Sequence, residues 1–144
     1  MQHPDLAGAP RHVFQRDYRI RFSHCDPADI VFFPQYLVLT NQLVEDWFTD
    51  GLGVDYAHML GQRRIGLPIV RLEVDFRAIS RMGDVVRFGV QIERLGGRSL
   101  TLLLDARQGD ELRLQARQVL VFTDLDTHRA IDIPADVRSA LGQA

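Results

Sequence analysis

Four stretches in the second half of this chain alternate apolar and polar side chains, and a single segment is long and apolar enough to cover them. Val70, Leu72, Val74 and Phe76 face one way, Arg71, Glu73, Asp75 and Arg77 the other. Val86, Phe88, Val90 and Ile92 repeat the pattern, as do Leu100, Leu102 and Leu104, then Leu112, Leu114 and Ala116. Successive side chains on a strand point to opposite faces, so each stretch predicts a strand with one apolar face. Gly83-Asp84, Gly96-Gly97 and Gly109-Asp110 stand between them as hairpin turns. Links this short make neighbouring strands antiparallel.

The covering segment runs from Ile30 to Asp50. Pro34 suits a first helical turn. Tyr36, Leu37, Leu39, Leu43, Val44, Trp47 and Phe48 then cover most of a helical circumference, which predicts a helix buried nearly all round. Gly51 and Gly53 end it, and residues 54–62 suit a second, shorter helix. Upstream, Tyr18, Ile20 and Phe22 alternate with Asp17, Arg19 and Arg21 as a first strand, and residues 23–29 make a turn. The elements predict one α+β domain: a curled antiparallel sheet wrapped around a long central helix. Residues 1–15 read as a flexible N-terminal arm and 16–144 as the domain. An exposed sheet edge invites pairing with another copy, so a homodimer with a continuous sheet is expected.

The 144 residues suffice for one domain with a real core, and 46% apolar with 25% charged residues is a globular composition. The net charge of -2 provides no strong field toward nucleic acid or a membrane surface. No stretch approaches the length needed to span a bilayer. One cysteine, Cys25, allows no intrachain disulfide and fits a reducing compartment. Residues 1–10 contain Pro and Gly without an apolar run and do not read as a signal peptide, so a cytoplasmic location is expected.

Chemistry, if there is any, centres on the strand-to-helix turn His24-Cys25-Asp26-Pro27. Backbone N–H groups at a helix start lack partners, and the helix dipole adds partial positive charge there. Such a place can hold a carbonyl oxygen as it becomes an oxyanion. A carboxylate beside it suits a nucleophile or a general base toward water. The bland reading makes Asp26 a helix N-cap and nothing more. The turn alone leaves both readings open.

The thirteen residues from His24 to Tyr36 resemble the signature of hotdog-fold thioesterases of the 4-hydroxybenzoyl-CoA thioesterase family. That signature runs Asp-x-Asp-Pro-x-Gly-(Ile/Val)-Val-aromatic-aromatic-Pro-x-Tyr. Gly66-Leu67-Pro68-Ile69-Val70, Gly83-Asp84 before a strand, and Ile133-Pro134 extend the likeness over roughly residues 16 to 138. The resemblance implies a hotdog fold over 16–144 and hydrolysis of an aromatic or short- to medium-chain acyl-CoA to free acid and coenzyme A. It implies Asp26 as the catalytic carboxylate and the N–H of Phe33 as the group that polarises the thioester carbonyl. Pro34 and Tyr36, which end the signature, are expected at the substrate pocket. Active sites of the family lie at a dimer interface, so a homodimer assembling to a homotetramer is implied. Water is the second substrate, and neither metal nor other cofactor is required.

The departures from the signature narrow the substrate. His24 replaces the first Asp, and Asp29 replaces the usual Gly. Phe33 retains a backbone N–H without the hydroxyl or imidazole found at that place elsewhere in the family. Asn41 and Leu67 align with the Asp and Thr that hold a phenol in hydroxybenzoyl enzymes, so a 4-hydroxyl loses its acidic partner. Three basic residues that hold coenzyme A phosphates align with Gly96, Gly97 and Arg98, of which Arg98 alone is basic. The two other functions weighed are a hotdog dehydratase or hydratase, which needs a His and acid pair, and a non-catalytic acyl-CoA binder, to which a retained Asp26 brings no obvious gain.

Other residues read as structural. Cys25 has no base placed across from it, and in an extended chain His24 and Cys25 point to opposite sides, which also argues against a metal site there. His58 reads as a surface or packing residue, Glu45 and Asp46 as a solvated or interface-facing stripe, and Trp47 and Phe48 as core.

Overall fold

The computed structural model describes residues 11–144. In chain order the elements are β1 (Phe14–Arg19), α1 (Phe33–Asp46), α2 (Tyr56–Gly61), β2 (Ile65–Gly66), β3 (Ile69–Phe76), β4 (Val85–Leu95), β5 (Ser99–Gln108), β6 (Glu111–Val121), β7 (Thr123–Asp124), β8 (Arg129–Ala130) and α3 (Ala135–Gly142). Five strands make one antiparallel sheet in the order β1-β4-β5-β6-β3, and β2, β7 and β8 make a small second one. The large sheet curls around α1, as the patterning predicts.

Alternation decides which residues meet the helix. Val86, Phe88 and Val90 of β4, Leu100, Leu102 and Leu104 of β5, and Leu114 and Ala116 of β6 are buried in one cluster with Leu39, Leu43, Val44, Trp47 and Phe48 of the helix segment. Each Val, Leu or Phe among them contributes roughly 1.5–3 kcal/mol of transfer free energy on burial. The apolar faces therefore fix strand register, because a one-residue slip would turn every one of them to water. Trp47 and Phe48 are core, as expected, and stack edge to face.

Several boundaries differ from the sequence expectation. The first strand stops at Arg19, and Phe22 stands 82% exposed in a short 3-10 turn over Phe22–His24. There Arg21 N donates to His24 Nδ1 at 2.9 Å and His24 N donates to Arg21 O at 2.9 Å, closing the chain before the alternation can continue. The inner end of the expected arm is ordered: Phe14 and Gln15 pair with Val90 and Gly89. Val13 N donates to Val90 O at 2.7 Å, and His12 Nε2 lies 2.8 Å from Asp105 Oδ2. The rest of that arm, residues 1–10, lies outside the described residues.

The central helix is buried on one side only. Val38, Asn41, Gln42 and Glu45 are exposed, because the sheet wraps the opposite face. Gly51 does not stop it; α1 continues as a π-helical turn over Trp47–Leu52 and ends at Gly53, whose φ of 72° is the left-handed conformation that glycine adopts without strain. Among the described residues β3 has a neighbour on one edge only, and Val70, Leu72 and Phe76 are exposed on the face expected to be covered.

Candidate active site

The segment from His24 to Phe32 is a closed loop. Cys25 and Val31 form an antiparallel bridge, Asp26 N donates to Ile30 O at 3.0 Å, and Phe32 N donates to His24 O at 2.9 Å. Within it Asp29 N donates to Asp26 O at 2.9 Å, which makes a tight turn around Pro27 and Ala28. That turn needs Asp29 at φ 67°. The left-handed region favours glycine and, among other residues, tolerates Asp and Asn best. The position where the family signature carries Gly is thus a conformational requirement that Asp29 can meet.

Asp26 is not the helix cap. Phe32 is the N-cap of α1, and no side chain caps the helix start. One carboxylate oxygen of Asp26, Oδ1, instead accepts from Ala28 N at 2.8 Å, an Asx turn that aims the group. Its Oδ2 has no protein partner among the described residues. The half-buried carboxylate therefore offers one oriented oxygen for chemistry.

The start of α1 supplies a donor. Pro34 follows Phe33 and has no N–H, and Gln35 N donates to Phe32 O at 2.8 Å. The N–H of Phe33 has no acceptor among the described residues. A free amide at the positive end of a fourteen-residue helix is suited to a developing negative oxygen. The loop thus brings the two groups named from the signature, Asp26 and Phe33, to one end of the central helix.

An aromatic cluster borders this end. The Phe33 ring, 58% exposed, packs edge to face on Phe32 at 5.6 Å and on Phe76 of β3 at 6.0 Å. Tyr36 is not part of that accessible surface. Its ring meets Phe76 at 5.9 Å, but the side chain is buried, and its hydroxyl donates to Ser80 Oγ at 2.6 Å. Leu67 is likewise buried in the core ahead of Pro68. Pro34 is half-buried at the helix start. Asn41 is exposed on α1, with its Nδ2 3.5 Å from Glu45 Oε2 one turn on.

Arg98 follows the β4–β5 turn and is exposed, with Nε donating to Asp132 Oδ1 at 3.0 Å. The carbonyls of Gly96 and Gly97 are taken by the C-terminal segment: Arg138 Nη2 donates to both, and Ile133 N donates to Gly97 O at 3.0 Å. Arg138 is therefore a second guanidinium at this turn, contributed from a helix some forty positions away that the alternation pattern did not predict.

Cys25 does not have the character of a nucleophile. Burial pushes its thiol above the ordinary value, and the charges of Asp29 and Asp26 push it further the same way. Burial and the neighbouring Arg21 lower His24. Its Nδ1 is occupied as an acceptor for Arg21 N. Among the described residues no cluster of three His, Cys, Asp or Glu side chains has metal-binding geometry.

Comparison with known proteins adds a family. The model of the thioesterase-like superfamily matches residues 20–141. The 4-hydroxybenzoyl-CoA thioesterase of Pseudomonas sp. (strain CBS-3) is 29% identical over 126 residues, which cover 82% of this chain and 89% of that one. Among solved structures, a gentisyl-coenzyme A thioesterase superposes with a TM-score of 0.80 at 25% identity, covering 88% of this chain and 98% of that one. A thioesterase-superfamily protein from Jannaschia sp. CCS1 reaches a TM-score of 0.84 at 24% identity, over 93% and 94% of the two chains. The shared architecture is the hotdog fold.

Proposed function

The chain belongs to the thioesterase-like superfamily, and from that premise we propose that it hydrolyses acyl-CoA thioesters to a free acid and coenzyme A. The observation that carries the reading is the loop of residues 24–33. Among the described residues it holds a carboxylate with one unpartnered oxygen, on Asp26, and a helix-start N–H with no acceptor, on Phe33. Those are the two groups that acyl transfer to water needs.

In the general-base form, Asp26 removes a proton from water as the hydroxyl adds to the thioester carbonyl. The Phe33 N–H donates to the resulting oxyanion, and collapse breaks the carbon–sulfur bond and releases the coenzyme A thiolate. In the nucleophilic form, Asp26 itself adds, expels the thiolate and leaves a mixed anhydride that water then cleaves. Both forms use the same two groups, and neither routes a step through a metal or other cofactor. The aromatic edge of Phe32, Phe33 and Phe76 provides an apolar wall for an aromatic or short- to medium-chain acyl group. Pro34 and Asn41 would border the acyl pocket. Arg98 would meet the coenzyme A phosphates, since its exposed pair with Asp132 is worth little and can open.

The same proposal includes a second copy. Among the described residues the outer edge of β3 is unpaired; the strand exposes Val70, Leu72 and Phe76, and the Phe76 ring lies 6.0 Å from that of Phe33. Pairing β3 with its equivalent would cover that edge and bring partner residues to the pocket, as a homodimer that can assemble further to a homotetramer. A cytoplasmic location completes the proposal. The dehydratase alternative finds little support: among the described residues the His–carboxylate pair is His12, just ahead of β1, with Asp105 of β5.

The test is a thiol-release assay over aromatic, short-chain and long-chain acyl-CoAs, with Asp26→Asn alongside. Wild type should hydrolyse at least one class, and Asp26→Asn should lower kcat by about 10²–10⁴. No hydrolysis of any class by folded protein sinks the enzyme reading, and full activity in Asp26→Asn removes Asp26 from the mechanism.

A further inference from the structure

Arg113 occupies an outward position by the simple alternation of β6, yet it is only 8% exposed. Burying a guanidinium costs several kcal/mol of hydration, and an apolar side chain of similar volume is commonly at least as stable. Its partners show what the charge accomplishes. Nη1 donates to Ser80 Oγ and to Asp84 Oδ2, both at 3.0 Å, and Nη2 donates to Gln108 Oε1 at 2.6 Å. Nε lies 2.6 Å from Glu111 Oε1, close enough for charge pairing but out of line for a hydrogen bond. The guanidinium thus clamps the segment between β3 and β4 against the β5–β6 hairpin.

That clamped segment is what the candidate site rests on. Ser80 is fully buried and works through both of its oxygens. Its Oγ accepts from Tyr36 OH at 2.6 Å, in the first turn of α1, and its carbonyl accepts from Val31 N at 2.9 Å, in the Asp26 loop. Ile30 forms a bridge with Arg81, whose N donates to Asp84 Oδ2 at 2.9 Å. The backbone links from the loop to Ser80 and Arg81 therefore pass through residues 80–84, and Arg113 holds two of that segment, Ser80 and Asp84, by their side chains. Tyr36, Ser80 and Arg113 are all buried.

We propose that Arg113, Ser80 and Tyr36 are positioning residues that set the Phe33 N–H against the Asp26 carboxylate. The proposal rests on the hydrolase reading for its catalytic consequence, and on geometry alone for its mechanical one. Removing the Tyr36 hydroxyl leaves the ring packed on Phe76 but frees the first turn of the helix from Ser80. The oxyanion donor then loses its register, while the surface that binds coenzyme A is untouched. The loss should fall on kcat, with KM little changed.

The experiment uses Tyr36→Phe, Ser80→Ala, their combination and Arg113→Met in the full chain, with Arg117→Gln as a control on an exposed ion pair. Thiol release is measured on the best acyl-CoA, and amide hydrogen exchange on residues 26–36. Tyr36→Phe should lower kcat about tenfold with KM within twofold, and the double variant should lose no more than the worse single one. Exchange across residues 31–36 should quicken about tenfold in Tyr36→Phe and Arg113→Met and remain as in wild type in Arg117→Gln. Unchanged exchange at 31–36 in folded Tyr36→Phe overturns the proposal, as does a kcat loss that is simply the sum of the single variants. Should wild type cleave no thioester, the hydrolase reading fails separately, and the exchange result still decides whether the network holds the loop.

Discussion

Asp29 offers a direct test of whether the Asp26 loop is as constrained as its geometry implies. Its φ of 67° lies in the left-handed region. The turn cannot relax around it, because Asp29 N is bonded to Asp26 O at 2.9 Å and the next residue, Ile30, is bridged to Arg81. Alanine in that conformation gives up about 1–2 kcal/mol, whereas glycine gives up none. Glycine in turn disorders the unfolded chain further, which costs it roughly 0.5–1 kcal/mol. The difference leaves Asp29→Ala less stable than Asp29→Gly by about 0.5–1 kcal/mol. For a domain of this length the entropy of melting is about 0.3 kcal/mol/K, so the alanine variant should melt about 2–3 °C below the glycine variant.

Asp29→Asn separates conformation from charge, because asparagine keeps the left-handed tolerance and loses the carboxylate. It should melt close to wild type. Circular dichroism melts of the four proteins, in one buffer and with urea titrations alongside, give the order directly. The expected order is that Asp29→Gly, Asp29→Asn and wild type cluster and Asp29→Ala falls below them. In the thiol-release assay, Asp29→Gly should retain kcat while Asp29→Ala loses it, since a displaced turn moves the Asp26 carboxylate. Should Asp29→Ala melt at or above Asp29→Gly, position 29 is not a left-handed constraint, and the reason for the glycine in the signature fails with it.

Three further outcomes follow from other parts of the molecule. A Cβ on Gly89 would lie 2.4 Å from the His12 ring, so Gly89→Ala must displace His12 from the buried Asp105. Taking the His12 bond from that carboxylate, which is left with Arg107 Nε at 3.9 Å, costs about 1–3 kcal/mol in urea unfolding. In a His12→Ala background the same substitution should be neutral or stabilising, and an equal cost in both backgrounds would exclude the contact as its cause. Asp84 is held below its ordinary value of 3.8 by the N–H of Arg81 first and by the Arg113 guanidinium after it. A carboxylate depressed by folding stabilises above its unfolded pKa and loses that stabilisation as pH falls through the folded one. Stability should therefore drop below about pH 4, and Asp84→Asn should flatten that part of the profile, with an unchanged acid limb as the contrary result. The Cys25 thiol, raised by burial and then by Asp29 and Asp26, should react slowly with iodoacetamide at neutral pH. Asp29→Asn should quicken alkylation, and no change in rate would remove the charge of Asp29 as a contributor.

What could be read from the sequence divides along the distance over which its physics acts. The curled sheet and its helix were legible because each strand carries its own alternation, and Leu100-x-Leu102-x-Leu104 needs no knowledge of Val86 or Leu43 to declare a face. Phe22 departs from its alternation for the complementary reason. The alternation of Tyr18, Ile20 and Phe22 is intact in sequence, but the His24 ring takes the N–H of Arg21 and turns the chain aside first. The helix looked buried on every side because apolar counting cannot tell a face covered by this chain's sheet from the one holding Val38 that the sheet leaves open. β2, β7 and β8 are two residues each, too short for any period to register.

The candidate site divides the same way. Asp26, Asp29 and Phe33 lie within one short segment, and their turn is closed by bonds between His24 and Phe32, so the loop's chemistry travels with its sequence. Its placement does not. Ser80 is 44 positions from Tyr36, and Arg113 is 33 from Ser80. Nothing local marks Arg113 among the other arginines of the sheet, of which Arg71, Arg87 and Arg117 sit in exposed ion pairs. Tyr36 belongs to both halves: it ends the signature, which suggested the pocket, yet its hydroxyl turns inward to Ser80. A motif match can therefore carry the reacting groups from one chain to another while leaving out what holds them in place. In this chain the missing part is buried, charged and separable by a single hydroxyl, so loss of the Tyr36–Ser80 bond should leave the motif readable and the fold intact while slowing turnover.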